Sequence, residues 1–260
     1  MEIGSIIRKK VSVVIRIFHD YTWNPIMNGI EVYFNNMPKK PIKKSGGYYV
    51  FTNLEDGIYK VNIKSQIYFN ETIEIDTTKL DLLDPIINIR LKTKPNYFLR
   101  EDSTIIKFKV VDLNKIPINL GIIKAFIDTK NYYEGQILEE VKSGHEKVKV
   151  KKFCDAPLPG DILYLKEEEP DKSEYIKVLK EDKGYYLLDS PINYDHKRDL
   201  KISRGFITKS DEDGNVIVYF KNLLKSKVNI TFHIFHEGHL KEVNAQVVEG
   251  NLLNLGIITI

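Results

Sequence analysis

Two short phrases recur along this chain in the same order, and they limit the fold more than any other feature. Asp20–Ile30 and Asp112–Ile122 both read Asp-x4-Pro-Ile-x2-Gly-Ile with no gap. Gly46–Ile63, GGYYVFTNLEDGIYKVNI, is then echoed by Gly214–Ile230, GNVIVYFKNLLKSKVNI; each holds Phe-x-Asn-Leu and, after a short corner, Val-Asn-Ile. A match on the scale of a domain points to two copies of one module. The runs around these phrases are Val11–Phe18, Ile30–Phe34, Tyr48–Phe51, Ile58–Ile63, Ile67–Ile75 and Ile86–Leu91. They are short, rich in β-branched and aromatic residues, and punctuated by turn-formers, as strands of an antiparallel sandwich are. Asp76–Pro85 reads as a loop or a single helical turn.

Lys92–Asp102, with Pro95, reads as a linker, after which Ile105–Val111 starts the scheme again. In the second copy the two phrases stand far apart, so the surplus between them reads as an insertion. It has strand signals of its own at Lys147–Val150, Asp161–Leu165, Tyr175–Leu179, Tyr185–Leu188 and Leu200–Ile202. KEEEPDKSE (Lys166–Glu174) reads as a solvated hairpin tip, and Lys130–Ser143 is the best helix candidate, enough for one or two turns. The expected architecture is all-β: two Ig-like, transthyretin-like antiparallel β-sandwich modules, the second interrupted by a small β-barrel-like domain. The expected boundaries are 1–95 for the first sandwich, 103–131 with 204–260 for the second, and 132–203 for the inserted domain.

Charge narrows the class of partner. The net charge is +3, acids and bases are interspersed, and only six of the 39 basic residues are arginine. A nucleic-acid binder concentrates its cations in a block or stripe; the nearest approach to one here, Lys39–Lys44, lies in a proline-containing turn, so no nucleic-acid partner is expected. Cys154 is the only cysteine, which rules out an internal disulfide and a thiolate metal cluster within one chain. No apolar run is long enough to span a membrane as a helix. The first eighteen residues hold no signal-type apolar core. The expectation is synthesis in the cytoplasm without a signal peptide, with release as part of a particle as the route out.

Both corners resemble carboxypeptidase regulatory-like modules, a transthyretin-like Ig-type sandwich family. The first copy carries Pro25, Gly29, Gly47, Tyr49, Phe51, Asn53, Leu54, Gly57 and Tyr59; the second keeps Pro117, Gly121, Asp213-Gly214, Phe220, Asn222 and Leu223 but loses the Gly-x-Tyr corner. The resemblance implies a sandwich with a spacer, adaptor or binding role and no catalysis. Linked Ig-like modules with an inserted barrel, made inside the cell, are also similar in architecture to accessory and baseplate proteins of phage tails and contractile injection particles.

Few residues invite chemistry. His233, His236 and His239 fall within seven residues, and histidine is the commonest metal ligand. They lie on a strand and its turn, with His233 and His239 sharing a face by simple parity and His236 opposite, although a turn at Glu237-Gly238 breaks that parity and would let two of them converge; the order is not the His-Glu-x-x-His of a helical zinc site. The simpler account is structural, so no metal and no cofactor are expected. Asp211–Asn215 (DEDGN) lacks the closing Glu of a calcium loop, since the twelfth position is Asn222, and reads as a hairpin turn. Cys154 has His145 and Asp155 near it in sequence, in no known nucleophile signature. Tyr21 and Trp23 sit in a loop at one end of the first sandwich, where exposed aromatics could anchor a protein partner or stack on a sugar. The resulting expectation is a non-catalytic structural or adaptor subunit of a larger assembly, such as a phage-tail-like or contractile injection particle. Its protein partners would dock through strand edges, notably Val11–Phe18 and Gly256–Ile260. The alternatives are a module binding carbohydrate or a cell surface through Tyr21 and Trp23, and a metal-dependent enzyme built on the three histidines.

Overall fold

A computed structural model describes residues 10–35, 40–97, 99, 103–130, 132–152 and 156–260. Residues 1–9 of the segment read for a signal, the tip of the proline turn after Asn35, the end of the expected linker, and Cys154 with Asp155 lie outside the described residues. The chain divides into two compact units, Met1–Tyr97 and Phe98–Ile260. The described residues are all-β apart from two single 3-10 turns, Thr77–Lys79 and Pro170–Lys172. Among them no helix is long and apolar enough to cross a membrane.

The first unit contains β1 (Val11–His19), β2 (Ile30–Phe34), β3 (Ile42–Lys44), β4 (Tyr48–Thr52), β5 (Ile58–Ser65), β6 (Glu71–Asp76) and β7 (Ile86–Leu91). They form two sheets, β3-β4-β1-β7 and β2-β5-β6. Period-2 alternation sends Val13, Ile15 and Ile17 of β1, Val32 and Phe34 of β2, and Val61 and Ile63 of β5 into one shared core, where Phe34 lies against Phe51. The residues expected to open one long strand at Ile67 instead turn, Tyr68 bridging to Thr93, and the strand starts at Glu71.

The second unit begins with β8 (Thr104–Val111) and β9 (Ile122–Ile127). The stretch between the recurring phrases follows, as β10 (Gly135–Ile137), β11 (Lys147–Val148), β12 (Val150–Lys152), β13 (Ile162–Leu165), β14 (Glu174–Asp182) and β15 (Tyr185–Leu188). The chain then runs through β16 (Lys201–Lys209), β17 (Asn215–Phe220), β18 (Lys227–His236), β19 (His239–Val248) and β20 (Leu252–Thr259). Sheet β17-β8-β20 repeats β4-β1-β7, and the run β9-β18-β19 repeats β2-β5-β6. Residues 105–127 and 206–260 thus build one body. The expected helix at 130–143 is absent from the described residues. Tyr132, Ile137 and Val141 are buried instead by an irregular path around β10, whose Gly135 lies so close to β12 that a Cβ would meet the Lys151 carbonyl at 2.8 Å.

Two expectations about the sheets need correcting. Val11–Phe18 is not a free edge: β1 is bonded to β4 on one side and to β7 on the other. The sheets are also not wholly antiparallel, because β1 pairs with β7, and β8 with β20, in parallel. Alternation shows which face of a strand is buried and nothing about its neighbour or direction, and a parallel return needs a crossover that the opposite sheet supplies. β20 does border its sheet, as expected for Gly256–Ile260.

The recurring residues do the same work in both modules. Pro25 bridges back to Phe18 and Pro117 to Val111. Ile26 N–H donates to the Ile17 carbonyl at 2.9 Å, as Ile118 does to Val110 at 3.1 Å. Ile17 N–H in turn donates to Gly47, and Val110 N–H to Gly214. Both glycines have φ in the left-handed region, at 74° and 77°, and both back onto the proline. The asparagines of Phe-x-Asn-Leu, Asn53 and Asn222, also have positive φ, a conformation that Asn tolerates better than most residues.

Between the modules' shared elements, β16 is the strand that ties the insertion in. Its start pairs with β10 and β13 and its end with β9, so one strand runs through the expected border at 203/204. Ile137, Val148, Leu165, Val178, Tyr186 and Ile202 belong to a separate core cluster. The glycine clasp can be tested by urea unfolding. At Gly214 an added Cβ would sit 2.4 Å from the Val110 carbonyl, at Gly47 3.1 Å from two carbonyls, and at Gly238 in open space. Gly238→Ala should cost about 1 kcal/mol from backbone strain alone, and Gly214→Ala roughly 3 kcal/mol, with Gly47→Ala between them.

Candidate functional site

The loop carrying Tyr21 and Trp23 is built from the first recurring phrase. Asp20 is buried, and its carboxylate lies 2.8 Å from Nε of Arg90 on β7, while Arg90 Nη2 donates to the Asp20 carbonyl. His19 Nδ1 accepts the backbone N–H groups of Tyr21 and Thr22 at 3.0 and 3.3 Å, which assigns the neutral Nε2–H tautomer. These bonds close a turn so tight that Trp23 takes φ 60°, rare for a bulky residue. Its ring packs at 5.4 Å from Phe18, with the Arg90 guanidinium 4.9 Å over its face. Trp23 is therefore half-buried and engaged on both sides, and Tyr21 beside it is half-buried as well. In the second copy the matching Asp112 closes its own turn instead, accepting from Asn114 and Ile116 N–H.

The three histidines do not converge. Glu237 and Gly238 are both left-handed, giving a two-residue hairpin turn that makes His236 and His239 direct cross-strand partners. His233 faces the other side of β18, so the turn at Glu237-Gly238 does break the simple parity, and it brings His239 beside His236 and not beside His233. The His233 Nε2 lies 3.6 Å from Glu242, its ring among Phe126 and Tyr175. Burial pulls its pKa down in spite of Glu242. Among the described residues no group of three or more His, Cys, Asp or Glu side chains is placed to hold a metal. Asp211 forms a turn: its carboxylate accepts from Asp213 and Asn215 N–H.

A strongly coupled ionic group lies where the sequence pointed to solvent. His196 is fully buried, its Nδ1 2.8 Å from Glu167 and its Nε2 2.8 Å from Glu174. Glu174 is itself 6% exposed and also accepts from the Asn193 and Tyr194 N–H groups and the Asn193 amide. Lys166–Glu174 is thus not simply a solvated tip, because its first and last glutamates turn inward onto one ring. Burial disfavours charge on His196, but the two carboxylates outweigh it and raise its pKa. For Glu174, burial is likewise outweighed, by His196 and the Asn193 donors, and its pKa falls. The charged pair holds the Val141–His196 bridge against the insertion's core. No sequence signal joins residues so far apart; a lone histidine after an acid-rich run was the only trace.

No protein-family model matches the sequence, and no curated protein matches it. Among solved structures, the shaft pilin SpaA from Lactobacillus rhamnosus GG (E269A mutant) aligns over 95% of this chain and 96% of its own, at 8% identity and TM-score 0.26. The Bacillus anthracis TIE protein aligns over 96% of this chain and 51% of its own, at 14% identity and TM-score 0.23. The full-length major pilin SpaD from Corynebacterium diphtheriae aligns over 95% and 66%, at 13% and 0.22. Likenesses of that size carry no argument about this chain.

The buried triad has a pH signature. A histidine pKa raised by folding contributes stability that is complete below its unfolded value, near 6.5, and is lost as pH rises through the folded value. Depressed Glu174 contributes stability above its unfolded value and loses it as pH falls through the folded one. Urea midpoints should therefore fall on the alkaline side for the wild type and stay flat there for His196→Gln. Removing the ring with His196→Ala strands a buried carboxylate and should cost about 3–5 kcal/mol at neutral pH.

Proposed function

We propose that this chain is a non-catalytic structural or adaptor protein that joins its neighbours in a larger assembly through an open sheet edge. The observation that carries this reading is β20. From Asn251 to Ile260 the sequence NLLNLGIITI has no charge and no proline, yet β20 has a strand partner on one side only, β8; on the other side the Thr259 carbonyl accepts from Lys241 Nζ at 2.7 Å, near the end of the strand. Edge strands are normally blunted by charge, proline or a cover, because an open row of backbone donors and acceptors invites another strand. Here Leu252 and Ile257 stand 63% and 66% exposed along that edge. The other edges differ: β19 carries Lys241 and Glu242, β6 carries Glu71, Glu74 and Asp76, and Val216–Phe220 of β17 are buried. Pairing along β20 would extend the β17-β8-β20 sheet into the next molecule.

A phage-tail-like or contractile injection particle is the narrower form of this reading and rests on architecture alone. Carbohydrate binding through Tyr21 and Trp23 finds less support, because the Trp23 ring already lies between Phe18 and Arg90. Light scattering across a concentration series tests the proposal. The wild type should associate with rising concentration, and Ile257→Lys and Leu252→Lys should return it to a monomer with unchanged thermal stability. A wild type that stays monomeric throughout would remove β20 as a joining edge.

A further inference from the structure

The outer face of the β3-β4-β1-β7 sheet in the first unit is built in cross-strand rows. Lys44, Tyr48, Arg16 and Asn88 stand side by side across its four strands. One step along, Ile42, Val50, Val14 and Ile86 form a second row, with Ile42 and Ile86 exposed. On the other side of Arg16, Phe18 pairs with Arg90. The four strands contain four cations, Arg16, Lys43, Lys44 and Arg90, and not one Asp or Glu. The second sheet of the same unit carries Glu31, Glu71, Glu74 and Asp76.

Arg16 and Arg90 share this face but differ in one respect. Arg90 stacks on Trp23 and is neutralised by buried Asp20. Arg16 is held between two rings, its guanidinium carbon 4.6 Å from the Phe18 centroid and 4.8 Å from that of Tyr48, with no hydrogen-bond or ion-pair partner among the described residues. Its Nε is sealed from solvent without an acceptor, whereas the terminal nitrogens are not sealed. Stacking leaves a guanidinium flat and pre-oriented, with its fork free for a planar oxyanion. A half-buried cation without a counter-charge is costly, and a carboxylate on that fork is the chemistry that would relieve it.

We propose that this face docks an acidic segment of a partner protein. A carboxylate would seat on the Arg16 fork, assisted by Lys44, and aliphatic side chains would cover the Ile42–Val50–Val14–Ile86 row. Charge complementarity selects the acid, and the apolar row selects a protein over a polyphosphate, which has nothing to lay on it. A sugar is disfavoured because guanidinium groups already cover Phe18, Tyr48 and Trp23. The inference is independent of β20, which belongs to the other unit.

Trp23, the only tryptophan, lies in the same stack and reports on it. The test titrates the full chain with a peptide of alternating glutamate and leucine, and with its glutamine counterpart, following Trp23 emission. The acidic peptide should give a saturable, salt-sensitive change, weakened about tenfold or more by Glu-to-Gln replacement in the peptide or by Arg16→Gln in the protein. Arg16→Lys should recover only part, and Lys44→Glu, at an exposed position that leaves folding intact, should weaken binding as well. Ile257→Lys should leave peptide affinity unchanged, separating this site from the edge. No response to the peptide would overturn the proposal, as would full affinity in both Arg16→Gln and Lys44→Glu. Tighter, Arg16-dependent binding of an oligouronate or polyphosphate would overturn the choice of a protein partner.

Discussion

Everything in this molecule leans on the middle strand of each module being bonded on both sides. β1 and β8 take an antiparallel partner on one side and the module's last strand, in parallel, on the other. A strand so placed has no unsatisfied backbone to lose to water, and its apolar face can be filled completely, as Val13, Ile15 and Ile17 show at 0% exposure. The condition for that arrangement is that the chain reverse sharply after the strand and come back at the right height. The clasp of proline against glycine supplies this, fixing the loop by backbone bonds to Ile17 and Gly47 in one copy, Val110 and Gly214 in the other. Where the clasp is shared the modules match, and where it ends they diverge.

The divergence is informative about how a sandwich tolerates a large insertion. In the first module, β3 precedes β4 and pairs with it. In the second, the strand that precedes β17 is β16, and it pairs with β9 in the opposite sheet. That change of partner turns the edge of β9 into an interior position and gives the inserted strands a ladder to grow from. Gly205 is the point of passage, facing both Phe126 of β9 and Ile162 of β13, where a Cβ would come within 2.8 Å of the Ile162 side chain. The insertion continues the sandwich's hydrogen bonding while packing a core of its own, and the His196 triad closes that core with charge instead of more apolar surface.

Much of this was legible because local chemistry and global position agree at the recurring residues. Gly47 and Asn53 are demanded by backbone conformations that few other residues adopt, and Pro25 packs against Gly47 in the clasp, so they survive as signals in a single sequence. The turns at Asp211–Asn215 and Glu237-Gly238 were readable for the same reason. Strand partners were not, since a period of two says nothing about which strand lies alongside, and β1 was therefore mistaken for an edge. The failures at Lys130–Ser143 and Lys166–Glu174 share a cause. Spacing and charge are averages over solvated helices and loops, and here tertiary contacts, Gly135 on β12 and Glu174 on His196, overrode them. Arg16 could not be singled out at all, because its distinction is the absence of an acid on three neighbouring strands.

That absence bears on how the two ends of a stacked array can serve different purposes. Phe18 touches both Arg16 and Trp23, and Trp23 touches Arg90, so the two guanidinium groups belong to one chain of ring contacts. At the Arg90 end the charge is matched by Asp20 inside the same loop, which makes that end a structural fixture and accounts for the strained φ of Trp23. At the Arg16 end the same packing is present without the acid. A residue needed only for packing could have been apolar at lower cost, since stacking a cation on a ring returns about 2 kcal/mol or somewhat more when desolvated, against the penalty of burying a charge without a partner. The arrangement makes physical sense when the counter-charge, absent among the described residues, is brought by a docked partner.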